Sequence, residues 1–254
     1  MRLDKFIAQK GLVQSRSRAE QLISDGSVKV NGKTVTKPAF SVEENDKIEI
    51  SDSINYVGRG GLKLEYAINK FNISVNGADA LDIGASTGGF TECLLNFGAK
   101  SVCAVDVGHG QMAEKLKADP RVTLLENTNA RFITPEIIGG RKDLAVMDVS
   151  FISQTAIFGA LFECVNDSAD IVTLIKPQFE TGSEFLSKKG IIKDRRIYKS
   201  VLEKIDLSTN EFGYGIKNAC VSPIKGGDGN TEFLVHIKKD VQKTFNFDLI
   251  LQKE

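Results

Sequence analysis

The chain has 254 residues, which at roughly 150 residues per domain predicts one medium domain and a smaller second one. A hydrophobic share of 41% with only 5 prolines indicates a packed protein and excludes a disordered chain. The 33 Lys and Arg residues balance the 33 Asp and Glu residues, so attraction to a polyanion must come from local clusters of charge.

The sequence does not predict a membrane protein. Its longest stretch without charged residues, Val149 to Phe162, has 14 residues, fewer than the roughly 20 that a membrane-spanning helix needs. Charged residues at Arg2, Asp4 and Lys5 interrupt the N-terminus before an apolar signal segment can form. We therefore expect a cytoplasmic protein.

The cysteines and histidines do not suggest a metal site. The 4 cysteines are widely spaced and form no CxxC pair, so we expect buried thiols rather than a disulfide framework. The 2 histidines cannot supply a histidine-rich metal centre. No metal is expected.

Residues 1 to 50 are predicted to form a small α+β unit. Apolar residues recur every three to four positions in two runs that end at Gly11 and Gly26, a pattern typical of two helices. Asn31-Gly32 between alternating valines predicts a hairpin with a type I′ turn. Residues 1 to 38 hold eight basic and three acidic residues, a net charge of +5, although such runs are often only solvated faces.

The segments RLDKFIAQKGL and SRSRAEQLISDGSVKVNGK resemble the alpha-L RNA-binding module of ribosomal protein S-four and of several RNA-modifying enzymes. The resemblance implies that basic side chains contact the phosphates of folded RNA. The candidate contacts are Arg2, Lys5, Arg16, Arg18, Lys29 and Lys33. The polar residues 51 to 57 are predicted to be a linker, which leaves residues 58 to 254 as the larger domain.

From residue 79 onward, apolar runs alternate with amphipathic stretches, a pattern that favours βαβ units around a mainly parallel sheet. The first apolar run leads into the segment DIGASTGGF and then a predicted helix. The segment is neither a Walker loop nor a GxGxxG motif, and a tight structural turn is as good an interpretation of it as a ligand loop. Its spacing resembles the S-adenosylmethionine loop of class I methyltransferases, which gives six candidate cofactor residues: Asp82, Gly84, Ser86, Gly88, Gly89 and Phe90.

Two further residues follow the next two predicted strands. A carboxylate at Asp106 can accept hydrogen bonds from both ribose hydroxyls of an adenosyl group. The amide of Asn129 can bond to the edge of the adenine ring. Each alone could be an ordinary strand-end or turn residue, but together with the glycine loop they favour a cofactor site.

Four charged residues lie at the starts or ends of predicted elements: Lys63, Asp148, Lys176 and Glu232. Taken singly, each could belong to a structural ion pair. Asp148 and Lys176 follow apolar strands, which would carry them to the same sheet edge as Gly84 and Asp106.

This ordered Lys, Asp, Lys, Glu set with the glycine loop resembles the ribose 2′-O-methyltransferases of the FtsJ type. With the preceding RNA module, the chain resembles the TlyA family of ribosomal RNA methyltransferases, whose members are also labelled haemolysins. The resemblance implies a class I methyltransferase (Rossmann-like) α/β sheet, S-adenosylmethionine as cofactor, ribosomal RNA within ribosomal subunits as partner, and the four charged residues as catalytic. Gly58 departs from the family, where serine is expected.

The implied reaction is an in-line attack of a ribose oxygen on a sulfonium methyl group. Lys176 is the candidate base, Asp148 orients it, and Glu232 holds Lys63 or the nucleotide. In the competing mechanism both lysines only stabilise a developing alkoxide.

A second basic cluster follows Lys176. Residues 188 to 199 carry a net charge of +5, and Lys188, Lys189, Arg195 and Arg196 are candidate RNA contacts, unless the cluster is simply the exposed side of a helix. Two other functions remain open at this point: a non-catalytic RNA-binding assembly factor, and a membrane-lysing haemolysin.

Overall fold

The computed structural model describes residues 1–13, 16–24, 26–50, 56–192, 194–227, 229–241 and 244–251, without the side chains at 17, 18, 21 and 24. The chain divides into two compact units, Met1–Asn55 and Tyr56–Glu254. Each unit has its own hydrophobic core. The predicted linker lies largely outside the described residues, because 51 to 55 are not among them.

The first unit packs two helices on a small sheet. Its elements are α1 (Leu3–Gln9), α2 (Arg16–Ser24), β1 (Val28–Val30), β2 (Lys33–Thr34) and β3 (Ile48–Ile50). The strands are antiparallel in the order β2-β1-β3. Asn31 and Gly32 both have positive φ angles, 51° and 78°, as a type I′ turn requires, so the hairpin prediction is confirmed.

The second unit is an α/β sandwich around a seven-stranded sheet. Its helices are α3 (Gly60–Phe71), α4 (Gly89–Asn96), α5 (Glu114–Lys117), α6 (Thr155–Glu163), α7 (Pro177–Glu180), α8 (Arg196–Asn210) and α9 (Asp248–Leu251). Its strands are β4 (Asp79–Ile83), β5 (Ser101–Val105), β6 (Val122–Leu125), β7 (Lys142–Met147), β8 (Val165–Ile175), β9 (Tyr214–Val221) and β10 (Phe233–Lys239).

The strand order is β6-β5-β4-β7-β8-β10-β9. Strands β4 to β8 run parallel, whereas β10 lies antiparallel between β8 and β9. The predicted α/β class and the closing antiparallel pair are thus confirmed. Continuous runs of buried residues in β4, β5 and β7 suit a sheet covered by helices on both faces.

The topology places the functional residues. Chain order reverses on the two sides of β4, whose neighbours are β5 and β7, and open α/β sheets bind ligands beyond the carboxyl ends of strands at such a point. The strand β10 reaches the same edge from the opposite direction, because Phe233 pairs with Ile175 at the end of β8. All 4 cysteines are buried and free, as expected.

Candidate active site

A cleft of about 550 Å³ opens at the carboxyl edge of the parallel strands. Its volume is in the range of cofactor sites, and apolar side chains dominate its wall, with a few polar groups. The lining residues include Ile83, Gly84, Ser86, Val105, Asp106, Val107, Gln111, Thr128, Asn129, Asp148, Ser150, Phe151 and Ile157.

At position 84, on the floor of this cleft, the backbone tolerates only glycine. Its φ is +84°, and a methyl group in place of its hydrogen would lie 2.4 Å from the carbonyl oxygen of Asp148. Any side chain would therefore collide with the end of β7. Ser86 also has a positive φ, 47°, and lines the cleft two residues later.

Asp82 lies beneath the loop rather than in the cleft. The residue is fully buried, its Oδ2 accepts a 2.6 Å hydrogen bond from the Thr91 hydroxyl, and its Oδ1 has no partner among the described residues. Burial raises the pKa of this carboxyl to about 7. The bond joins the strand before the glycine loop to the helix after it, so Asp82 fixes the loop instead of facing a ligand. Gly88, Gly89 and Phe90 are buried in the same turn.

Asp106 lies at the end of β5 and is held from two sides. Its Oδ2 accepts the backbone N–H of Ser86 and its Oδ1 that of Gly108, each at 2.7 Å. Gln111 completes this side of the cleft, because its Oε1 accepts a 3.1 Å hydrogen bond from the Ser86 hydroxyl. Sequence reasoning missed Gln111, although its position in the loop after β5, at the ligand-binding edge, was an available signal.

Asn129 lines the cleft beyond β6 and also caps a short 3₁₀ turn. Its Oδ1 accepts the backbone N–H of Arg131 at 3.1 Å. The Nδ2 group is thus the end of this amide that can donate to a ligand.

Lys176 and Asp148 form an ion pair at the ends of β8 and β7. The Lys176 Nζ lies 2.5 Å from the Asp148 Oδ1 and donates a 2.9 Å hydrogen bond to the Ser150 hydroxyl. Both charged side chains are partly exposed, at 13% and 21%, so the pair is accessible to a substrate.

Lys63 and Glu232 form a second, more deeply buried pair. The Lys63 Nζ on α3 donates to the Glu232 Oε2 at 2.5 Å, and the two residues are 6% and 3% exposed. Since Phe233 pairs with Ile175, the antiparallel register brings Glu232 opposite Lys176. At the start of α3, the Cβ position of Gly60 is 3.9 Å from the Asp148 Oδ2. The four residues therefore meet at one edge of the sheet.

An aromatic side chain projects at the mouth of the cleft. Phe151 is 90% exposed with a φ of +63°, a conformation that costs energy for a bulky residue. Its ring packs on Phe179 of α7, with 4.8 Å between ring centres. Backbone strain together with an exposed aromatic ring is typical of a functional residue rather than of a residue that only stabilises the fold.

Three of the predicted RNA contacts take part in ion pairs within the protein. Arg2 and Arg16 both pair with the buried carboxylate of Asp4, at 3.0 and 2.7 Å, and these guanidinium groups hold the pKa of Asp4 far below its usual range. Arg196 pairs with Asp194 at 2.7 Å. These three arginines therefore have a structural partner that the sequence did not reveal. The candidates Lys5, Lys29, Lys33, Lys188, Lys189 and Arg195 are exposed, as are the three arginines, and the Arg18 side chain lies outside the described residues.

Comparison with family models agrees with this geometry. Residues 56–239 match the FtsJ-like methyltransferase model, and residues 1–48 match the S4 domain. The chain is an FtsJ-like methyltransferase of the TlyA family. Enzymes of this class use S-adenosylmethionine in general, and the fold expected from the resemblance is confirmed.

Similar proteins span nearly the whole chain. It is 41% identical over 247 residues to the 16S/23S rRNA (cytidine-2′-O)-methyltransferase TlyA of Mycobacterium tuberculosis, covering 96% of this chain and 92% of TlyA. Hemolysin A of Brachyspira hyodysenteriae is 45% identical over 237 residues, 93% of this chain and 99% of the relative. A solved structure of a candidate hemolysin from Streptococcus thermophilus superposes with a TM-score of 0.79 at 37% identity, covering 100% of this chain and 94% of that one.

Among the helices that the structure describes, none is long and apolar enough to cross a bilayer. The described residues also contain no group of three or more metal-ligating side chains.

Proposed function

We propose that the protein transfers a methyl group from S-adenosylmethionine to a ribose 2′-hydroxyl of ribosomal RNA. One observation carries the proposal: the two lysine–carboxylate pairs, Lys176–Asp148 and Lys63–Glu232, meet at the sheet edge that also holds the cleft. The TlyA relatives are named as rRNA (cytidine-2′-O)-methyltransferases, which suggests the class of acceptor.

The cleft fits an adenosyl cofactor. The fixed carboxylate of Asp106 suits two ribose hydroxyls, because its oxygens keep acceptor capacity beyond the two backbone N–H groups they already bind. Asn129 offers an amide donor and Val107 an apolar wall for the base. Gly84 leaves the backbone open at the floor of the cleft. When bound, S-adenosylmethionine supplies a methyl group on a positively charged sulfur.

Lys176 is the residue we assign to the attacking hydroxyl. Attack on the methyl carbon needs the ribose oxygen in line and relieved of its proton as the bond forms. Asp148 and Ser150 fix the Lys176 Nζ between them, so its orientation does not depend on the substrate. In this assignment Lys176 first gives its ammonium proton to solvent, its neutral amine then takes the proton of the hydroxyl, and Asp148 stabilises the ammonium that forms again.

Lys63 and Glu232 are assigned to charge neutralisation and to stabilisation of the ribose oxygen. Glu232 cancels the charge of a lysine that would otherwise be buried alone, and both side chains are more than nine-tenths buried. Their place beside Lys176 lets the Lys63 ammonium stabilise negative charge that develops on the ribose oxygen.

RNA binding is assigned to exposed basic residues of both units. In the first unit these are Lys5, Lys29 and Lys33, and in the second Lys188, Lys189 and Arg195. In the second unit the exposed Phe151 ring beside Lys176 suits stacking on an unpaired base, a common mode of RNA recognition. We propose residues 1 to 50 as the RNA-binding domain, 51 to 57 as linker and 58 to 254 as the catalytic domain.

The test is methyl transfer to ribosomal subunits isolated from cells lacking the gene. With methyl-labelled S-adenosylmethionine, the wild-type protein should label RNA, and nuclease mapping should place the label on a ribose. Lys176→Ala should lower the rate at least about 100-fold while leaving cofactor binding intact. Label on a base, or full activity in Lys176→Ala, would contradict the proposal.

A further inference from the structure

The loop between β9 and β10 lies directly against the buried carboxylate of the site. A methyl group in place of the Gly226 hydrogen would lie 2.7 Å from the Glu232 Oε1. The corresponding position on Gly227 is 3.4 Å from the Arg59 Nη2. The backbone at Gly226 therefore approaches the Glu232 carboxylate more closely than a residue with a Cβ would allow, whereas the distance at Gly227 is an ordinary contact.

Asn230 ties this loop to a separate hairpin. Its side chain is 1% exposed, and both ends of the amide are satisfied: Nδ2 donates to the Gly190 carbonyl at 2.9 Å, and Oδ1 accepts the N–H of Ile192 at 3.1 Å. The Asn230 carbonyl also accepts the N–H of Gly226 at 2.9 Å. A buried amide bonded in this way fixes two chain segments relative to each other.

The hairpin that Asn230 holds runs from Leu186 to Ile192 and carries two exposed lysines. Leu186 and Ile192 form a bridge, and the Ser187 hydroxyl accepts the N–H groups of Lys189 and Ile191 at 3.3 and 3.1 Å. The turn is thus bonded internally, so Lys188 and Lys189 are presented from a rigid support.

We propose that the hairpin and the glycine loop form one surface that binds the phosphodiester backbone of RNA beside the reacting ribose. We call it the lysine wall, and its cations are Lys188, Lys189 and Lys225, all exposed. Asn230 is a positioning residue, because it sets the wall relative to Glu232. Phosphate contacts fix register without reading sequence, which is what an enzyme needs in order to place one ribose at its site.

The inference rests on the proposed function for its choice of RNA, and its test needs no methyl donor. Binding of a fluorescein-labelled 20-nucleotide single-stranded RNA would be measured for the full chain at several salt concentrations. In the triple variant Lys188→Gln, Lys189→Gln, Lys225→Gln, the slope of log Kd against log salt should fall by about 2, since three phosphate contacts contribute about 0.7 each. A matched variant that removes three charges elsewhere, Lys100→Gln, Lys117→Gln, Lys217→Gln, should keep the wild-type slope. A slope within about 0.5 of wild type in the triple variant would overturn the proposal.

Asn230→Ala tests the positioning role. RNA affinity should fall about fivefold with cofactor affinity unchanged, because the hairpin loses its support while its lysines remain. Asn230→Ser, which has one hydroxyl in place of the amide, should have an RNA affinity between those of the wild type and Asn230→Ala, and it serves where the alanine variant does not fold. Unchanged RNA affinity in both, or equal loss of cofactor affinity, would refute the role. If the wild-type protein methylates RNA but the triple variant keeps the wild-type salt slope, only the lysine wall is refuted. If the triple variant has a lower salt slope but the wild-type protein does not methylate RNA, only the proposed reaction is refuted.

Discussion

At the scale of single residues, Lys176 allows the two mechanisms to be separated. Arginine keeps the positive charge and can pair with Asp148, but it does not deprotonate and cannot act as a base. We expect Lys176→Arg to be nearly as inactive as Lys176→Ala, with cofactor affinity retained in both. Initial rates with saturating RNA, together with calorimetric binding of S-adenosylmethionine, would measure this. If Lys176→Arg kept more than about a tenth of the activity, stabilisation of an alkoxide would replace the base.

The buried carboxyl of Asp82 makes stability depend on pH. Its pKa is raised to about 7 by burial, so between the unfolded pKa near 4 and pH 7 the folded protein holds a proton that the unfolded chain has released. The contribution is therefore favourable at low pH and is lost as the pH rises towards 7.

Asp82→Asn should remove this loss. Relative to wild type, we expect the variant to gain about 2 kcal/mol of unfolding free energy between pH 5 and pH 8, measured by urea denaturation. Asp119, a partly buried loop acid paired with Arg121, offers a control whose asparagine variant lacks this trend between pH 5 and pH 8. Parallel wild-type and Asp82→Asn curves across this range would show that the carboxyl does not titrate there.

Phe151 offers a prediction about the nucleotide. Stacking of a base on an aromatic ring contributes about 1–3 kcal/mol, so Phe151→Ala should lower kcat/KM for RNA roughly 5- to 150-fold. Cofactor affinity should change little, because the ring is 90% exposed at the mouth of the cleft. Leu207→Ala on α8, also exposed, is the comparison. An equal effect of both substitutions on RNA kinetics would argue against stacking.

At the scale of elements, the turn from β4 to α4 depends on Gly84. Gly84→Ala adds a methyl group 2.4 Å from the Asp148 carbonyl in a left-handed backbone. We expect at least a tenfold loss of cofactor affinity in a binding titration, because β7 must shift and Asp148 with it. Gly77→Ala separates the causes, since Gly77 shares the positive φ, +77°, but has nothing within 4 Å. If Gly84→Ala and Gly77→Ala had equal cofactor affinities, the loss in Gly84→Ala would come from backbone strain and not from the contact with Asp148.

The order of the helices and strands was predictable because the hydrophobic periodicity of each segment agrees with the turn-forming residues that separate the segments. Buried strands read as continuous apolar runs, and the polar residue after each run, such as Asp106 or Asp148, falls at the ligand edge. The pairing of charges was not predictable. Nothing in the local sequence says that Asp4 engages Arg2 and Arg16, because such contacts depend on which helices pack together.

The pairing of Lys63 with Glu232 was also not predictable, because it depends on the long-range register of the sheet. Glu232 lies 169 positions from Lys63, and only the insertion of β10 between β8 and β9 brings the two together. Resemblance to a family supplied the four charged residues as a set, whereas the geometry assigns the partners. Asp82 shows the reverse case, since a residue chosen for ligand contact lies under the loop and bonds to Thr91.

At the scale of the whole molecule, zero net charge conceals a basic segment, residues 1 to 38 with a net charge of +5, and we expect its lysines to control RNA affinity. Lys5→Gln, Lys29→Gln and Lys33→Gln together should lower the salt slope of RNA binding by about 2, with cofactor affinity unchanged. Fluorescence titration against ribosomal RNA fragments would measure it.

The matched control removes the same charge elsewhere. Lys100, Lys117 and Lys217 belong to the second unit, and their combined glutamine variant has the same net charge as the first triple variant. If charge acts only through the overall field, both variants lose RNA affinity equally. If the first unit makes direct phosphate contacts, the salt slope of RNA binding falls only in the variant of Lys5, Lys29 and Lys33. The reason is that the salt slope depends on the number of phosphate contacts and not on the net charge of the protein. We expect the second result, which would make the exposed lysines of residues 1 to 50 the sequence-independent anchor of the enzyme.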